Sequence, residues 1–223
     1  MLSAASRAFS QVFEKQFRAI FWKMLGFTIA VLAVFWIGLQ SFVTAYTADY
    51  NAWFLNIFIP LVTGIGAVFI FSFLIAPVSA LFAGLFQDEI ADIVEKNDYP
   101  NDQPGTALPV MQSIVLAIKF MGVVILGNLF ALLLLLIPGV NLIAFFVVNG
   151  YLLGREFFEF AAMRFMPPKE ARAFRRANGG AVFMGGLIIA GVLAVPLLNL
   201  ITPIFATIFM MHLYKRLASG AEI

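Results

Sequence analysis

Cysteine is absent from this chain, and histidine occurs once, at His212. The first absence excludes disulfides, cysteine-ligated zinc and thiol chemistry. The second argues against a histidine-based metal or catalytic site. Charge is also scarce, at 12% of 223 residues against 62% hydrophobic ones. A soluble domain carries about 25% charged residues, so this chain has too few to cover a surface facing water. A mean hydropathy of +0.98 and 26 phenylalanines point to an all-α integral membrane protein with a single domain. Residues Met1–Arg7 show no compact apolar core followed by a cleavage site, so the first apolar segment is expected to stay as an anchor. No serine elbow or paired inward carboxylates stand out, and Gly185, Gly186 and Gly191 do not form a phosphate loop. Neither an enzymatic activity, a cofactor nor a metal is expected.

What the chain does have is long apolar runs. Residues 5–23 alternate Phe9, Val12, Phe13, Phe17, Ile20 and Phe21 with Arg7, Glu14, Lys15, Arg18 and Lys23. That spacing, with its basic opposite face, predicts a helix lying at the membrane surface. Residues 24–46 are uncharged over about 23 positions, enough for a first transmembrane helix. Tyr46, Tyr50 and Trp53 mark an interface belt. Residues 53–95 predict a second long transmembrane helix, kinked by Pro60 and Pro77 and ending in an amphipathic extension, Gln87–Glu95. Turn formers fill the loop of residues 96–109.

One phrase occurs twice, as Ile137-Pro138-Gly139-Val140-Asn141-Leu142-Ile143 and as Val195-Pro196-Leu197-Leu198-Asn199-Leu200-Ile201. Proline ends one helix and asparagine is expected to cap the next. The repeat predicts two helical hairpins, over residues 110–165 and 180–217. An arm of about 15 residues reaches only about 22 Å, short of the 30 Å hydrocarbon core, so the second hairpin is expected to penetrate partway and return. The first has one long arm, 110–137, and one short arm, 142–153. This arrangement puts every Lys and Arg on one side and leaves Asp49 on the other. Both termini and the basic segment 155–178 are then cytoplasmic. Six conventional spans would give the same sidedness.

Several motifs resemble the CysZ-type sulfate permeases, within the wider etoposide-induced-protein membrane family. They are the first Pro/Asn phrase, then Tyr151-Leu152-Leu153-Gly154-Arg155-Glu156-Phe157, then Pro196-Leu197-Leu198-Asn199-Leu200 leading to Tyr214-Lys215-Arg216. Ile75-Ala76-Pro77-Val78 and Asp88-Glu89 fit as well. The resemblance implies a bacterial inner-membrane protein that admits sulfate for cysteine synthesis without nucleotide-driven pumping. It also implies two long transmembrane helices, two partly penetrating hairpins and assembly into homo-oligomers. The family's sulfate motif, Gly-Leu-Arg-Arg before the first span, corresponds here to Gln16-Phe17-Arg18-Ala19, which keeps one of the two arginines.

Sulfate is a dianion, and a path for it needs fixed positive ends and N–H donors. Arg18, with Gln16 and Phe17, is the candidate anion-binding group; the alternative is an arginine snorkelling at the interface. Arg155, Glu156, Glu159, Asn141 and Asn199 are candidate pore residues. Their alternatives are a structural ion pair and helix caps. Lys119 and His212 read as interface residues, and Arg172–Arg176 as a lipid-headgroup signal rather than a nucleic-acid patch. Gly84, Gly122, Gly127, Gly185, Gly186 and Gly191 allow close helix packing. A rival reading of the whole chain is a membrane-shaping scaffold with no substrate, gripping lipid through its basic segment.

Overall fold

The computed structural model describes residues 1–47, 86–107 and 140–220, with positions 64, 66, 109, 111 and 115. The first Pro/Asn hinge at Pro138, the arm 110–137 with Lys119, Gly122 and Gly127, and most of the second long helix lie outside the described residues. Among the described residues all regular structure is helical. The elements are α1 (Leu2–Gln11), α2 (Lys15–Thr47), α3 (86–98), α4 (Val140–Met163), α5 (Pro168–Ala177), α6 (Gly179–Leu193), the single turn α7 (Pro196–Asn199) and α8 (Thr202–Ala218). The chain divides into two compact units, Ala19–Phe86 and Met1–Arg18 with Gln87–Ile223.

In the first unit the body of α2 turns apolar side chains outward. Trp22, Phe27, Ile29, Val34, Phe35, Ile37 and Phe42 are all exposed. The helix has 33 residues, about 50 Å at 1.5 Å per residue, which exceeds the hydrocarbon thickness of about 30 Å. Its hydroxyls are satisfied internally. Thr28 donates to the Met24 carbonyl at 2.9 Å, and Ser41 and Thr44 to those of Ile37 and Gln40 at 2.8 Å. Such back-bonding lets a hydroxyl sit in an apolar environment without water.

In the second unit α8 is the centre. Every residue from Ile204 to Tyr214 is buried, as expected of a helix apolar all round. Helices α4, α6 and α1 pack against α8, and α5 packs on α4. The α4–α6 contact is made by backbone. A Cβ on Gly186 would fall 1.8 Å from the Gly150 carbonyl oxygen, and one on Gly154 would fall 2.5 Å from that of Val182. Only glycine permits this approach. Gly185 faces Met210 of α8, whereas Gly191, also expected to pack, has no neighbouring heavy atom within 4 Å. Stacked rings pin the polar end: Phe165 on Tyr214 at 5.1 Å and Phe158 on Phe174 at 6.0 Å.

Three expectations are corrected. The stretch 5–23 is not one helix, because residues Val12–Glu14 break it between α1 and α2. Gln11 and Val12 are buried in the second unit, and the chain turns there through bonds from Phe13 N–H to Ser10 and from Glu14 N–H to Gln11. The returning arm of the first hairpin does not stop at Leu153. α4 runs 24 residues to Met163, carried past Gly154 by its contact with α6 and by the i,i+4 pair Arg155–Glu159 at 3.4 Å. Third, Asn199 ends α7 and does not cap α8, whose N-cap is Ile201. Pro203 sits in the first turn of α8, where its fixed φ suits the helix and it brings no N–H to satisfy. Asn141 lies inside α4 as described from Val140.

The glycine seam sets a test. Gly186→Ala should destabilise the protein by about 3 kcal/mol, the upper end for overpacking. Gly191→Ala should be neutral or stabilise by up to about 1 kcal/mol through helix propensity. Thermal unfolding in detergent reads both; equal effects would refute a backbone contact at Gly186.

Candidate functional site

The polar residues of the second unit gather into three clusters. The first is built on α3, where Asp88, Asp92 and Glu95 recur at i, i+4 and i+7 and so share one face. Into that face comes Arg164, from just beyond α4, with its side chain wholly buried. Its Nε donates to Glu95 Oε1 at 2.8 Å, and its two terminal nitrogens donate to Asp88 and Asp92. Glu95 Oε2 accepts the Gly105 N–H at 2.7 Å, and the Arg164 carbonyl accepts the Thr106 N–H at 2.8 Å. A Cβ at Gly105 would lie 2.8 Å from Glu95 Oε1 and 3.0 Å from Arg164 Cβ, so a larger residue here would push on the clamp. Burial raises the Asp88 carboxyl above its ordinary 3.8, outweighing the lowering by Arg164. The arrangement ties α3, the 99–107 loop and the end of α4 together.

The second cluster is a relay. The Tyr99 hydroxyl donates to His212 Nδ1 at 2.8 Å, and His212 Nε2 donates to Gln11 Oε1 at 2.8 Å. Gln11 Nε2 donates to Asp98 Oδ2 at 2.7 Å, and Arg7 pairs with the other oxygen of Asp98. An amide oxygen only accepts and a carboxylate only accepts, so Nε2 carries a proton, and burial keeps the ring neutral with Nδ1 as the acceptor of the Tyr99 hydroxyl. Burial lowers His212 to about 4, against the opposing pull of Asp98. His212 is therefore a buried connector between α1, α3 and α8, not the membrane-interface residue expected from its position. Burial likewise pushes Tyr99 up to about 12.

The third cluster joins α4 to α5. Glu159 accepts from Arg175 Nε at 2.7 Å and lies 3.4 Å from Arg155 Nε. Of the candidate pore residues, Arg155 and Glu159 are thus brought together. Glu156 is one residue on, about 100° around the helix, and takes no part in this pair. Asn199, at the end of α7, is not in this cluster, and the side chain of Asn141 lies outside the described residues. Among the anion candidates, Gln16 and Arg18 are exposed on the first turn of α2, while Phe17 is buried. The Arg18 N–H already bonds the Glu14 carbonyl at 2.9 Å. The N–H groups of Lys15, Gln16 and Phe17 precede that first bond and have no acceptor within the helix.

Arg164 was not singled out in the sequence, although the three carboxylates at helical spacing call for a cation. The Tyr99–His212–Gln11 relay carried no such signal, because its members are 113 and 201 residues apart.

Among the described residues one helix, α2, is long and apolar enough to cross a bilayer, and the basic α5 meets the apolar α6 at 90°; together with the exposed apolar face of α2 these point to a helical membrane protein. The chain belongs to the family described as Sulfate transporter CysZ/Etoposide-induced protein 2.4, whose model matches residues 4–203. The family read from the hinge and arginine motifs is thereby borne out. It is a family of transporters rather than of enzymes. No curated protein matches the chain significantly.

Two opposite pH responses follow. A histidine with a folded pKa near 4 and an unfolded one near 6.5 takes up its proton on unfolding. Stability should therefore fall as pH drops from 6.5 to 4, by at most about 1.4 kcal/mol per unit, and His212→Gln should flatten that slope in detergent melts. Arg164→Met leaves three facing carboxylates and should cost about 3–5 kcal/mol at neutral pH. Acidification should recover part of that loss; a variant that melts like the parent at all pH values would contradict the assigned clamp.

Proposed function

We propose that this protein passes sulfate, or an oxyanion of the same shape and charge, across a bacterial inner membrane and so supplies cysteine synthesis. The observation that carries this reading is the family match over residues 4–203. The anion would be met at the first turn of α2. There the N–H groups of Lys15 and Gln16 precede the first helical bond, and Arg18, exposed in the same turn, would add its guanidinium. Phe17, buried, would hold this turn in place rather than touch the ion. The onward path would run beside Arg155, Glu156 and Glu159, with flow driven by the electrochemical gradient. In this reading α2 crosses the bilayer, the α6–α8 hairpin dips into it from the cytosol, and both termini are cytoplasmic. Association into a homo-oligomer buries the short arms that lipid alone would leave unsupported.

A second reading is favoured by α5. Lys169, Arg172 and Arg176 are exposed on it, and it meets the apolar α6 at 90°. A basic helix lying flat beside an inserted one is what a membrane-shaping scaffold would use to grip anionic lipid.

Radiolabelled sulfate uptake into proteoliposomes separates the two. Uptake above empty vesicles, reduced about tenfold or more by Arg18→Gln through loss of a charge-assisted contact, supports the permease. Uptake equal to that of empty vesicles refutes it and leaves the scaffold. Insertion depth has its own check. A cysteine at Leu198 should resist a membrane-impermeant reagent added from the periplasmic side, and ready labelling would replace the dipping hairpin with full spans.

A further inference from the structure

A cavity of about 410 Å³ opens among the start of α1, the 99–107 loop and the end of α8. It falls within the size range of small-molecule sites, about 300–1,000 Å³. Its wall carries three cations, Arg7, Lys215 and Arg216, against one carboxylate, Asp102. The hydroxyls of Ser3 and Ser219 line it too. None of these residues belongs to the first turn of α2, and none figured among the candidates read from the sequence.

Each cation is held in place by a defined partner. Lys215 Nζ donates to Asp102 Oδ2 at 2.9 Å and lies 4.1 Å from the centre of the Phe165 ring. Arg7 is aligned by Asp98. Arg216 Nη1 donates to Ser3 Oγ at 3.0 Å. That bond uses Ser3 as acceptor and leaves its own O–H to donate. The guanidinium and the hydroxyl therefore stand side by side as donors. Behind Ser3, the N–H groups of Ser3 and Ala4 precede the first helical bond of α1, from Ala5 to the Met1 carbonyl. No acidic residue occupies that first turn, so the helix end itself favours an anion, and the one carboxylate of the wall, Asp102, is paired with Lys215.

We propose that this cavity binds a tetrahedral dianionic group, a sulfate or phosphate, with Arg216, Lys215 and the Ser3 hydroxyl as its donors. Planar, forked Arg and a point-charge Lys on one rigid wall are the donor set that such a group selects. The group arrives free or on a small molecule in solution, or as the head of an anionic phospholipid. The site does not depend on transport.

The test is isothermal titration of the full chain in detergent with sodium sulfate and sodium phosphate, at ionic strength held constant by chloride. Saturable binding is expected. Arg216→Gln should weaken it about tenfold, the loss of one charge-assisted contact. Arg216→Lys should retain part of it, with helicity unchanged in both, and Arg18→Gln should leave this binding in place. Sulfate and phosphate binding no better than chloride would overturn the proposal, as would a folded Arg216→Gln chain with unchanged affinity. Nanodiscs of phosphatidylglycerol and of phosphatidylcholine identify the source. Loss of sulfate binding only in phosphatidylglycerol assigns the cavity to a lipid headgroup; binding retained in both assigns it to a soluble anion. A failed uptake assay leaves this result untouched, because titration reads occupancy and not flow.

Discussion

A buried guanidinium in an apolar chain is the constraint around which the second unit is organised. Taking Arg164 out of water has a cost that Coulomb attraction offsets only when every donor finds an acceptor. Asp88, Asp92 and Glu95 meet that demand from successive turns of α3, and Glu95 extends it to the backbone of Gly105. The loop is thereby held against the ends of α3 and α4. Asp98 and Tyr99 are placed by the same loop and helix end, and only from there can they reach His212 and Gln11. The relay in turn fastens α1 to α8, so the cavity between them inherits its shape from a contact several residues away.

The helices behind this polar end are joined by a different force. α4 and α6 approach through peptide groups at Gly150, Gly154 and Gly186, with the Leu187 side chain laid against Gly150. α8 is surrounded by apolar side chains along its whole middle. In lipid, where hydrophobic burial gives little preference for one helix over another, close packing of this kind and internal hydrogen bonds select the arrangement.

Much of the architecture was legible in the sequence. Run length and helical spacing gave an all-helical chain, consistent with the membrane family that it matches, and the uncharged residues 24–46 fall within α2. Val195-Pro196 marked a true break, because proline leaves its predecessor extended, with φ −91° and ψ 115° at Val195. The family was legible too, since its motifs lie where glycine and arginine are constrained by packing: Gly154 by the Val182 carbonyl, Arg155 by Glu159. Local rules failed where tertiary contacts outweighed them. The split of α1 from α2 depends on Gln11 being drawn into a relay with residues from the far end of the chain. Asn199 looked like a cap because Asn usually is one, yet Pro203 set the start of α8 instead. Arg18 stands exposed at the start of α2, where its place before the uncharged run was legible from the sequence.

The seam between α4 and α6 bears on motion. Where two helices touch through their main chains, as at Gly154 and Gly186, there is no rotamer at the contact to rearrange, so sliding would part them. The pair is therefore a stiff element of the second unit. Any relative motion of these helices has to be absorbed at contacts made by flexible side chains, such as those of Met210 and Leu213 against Gly185.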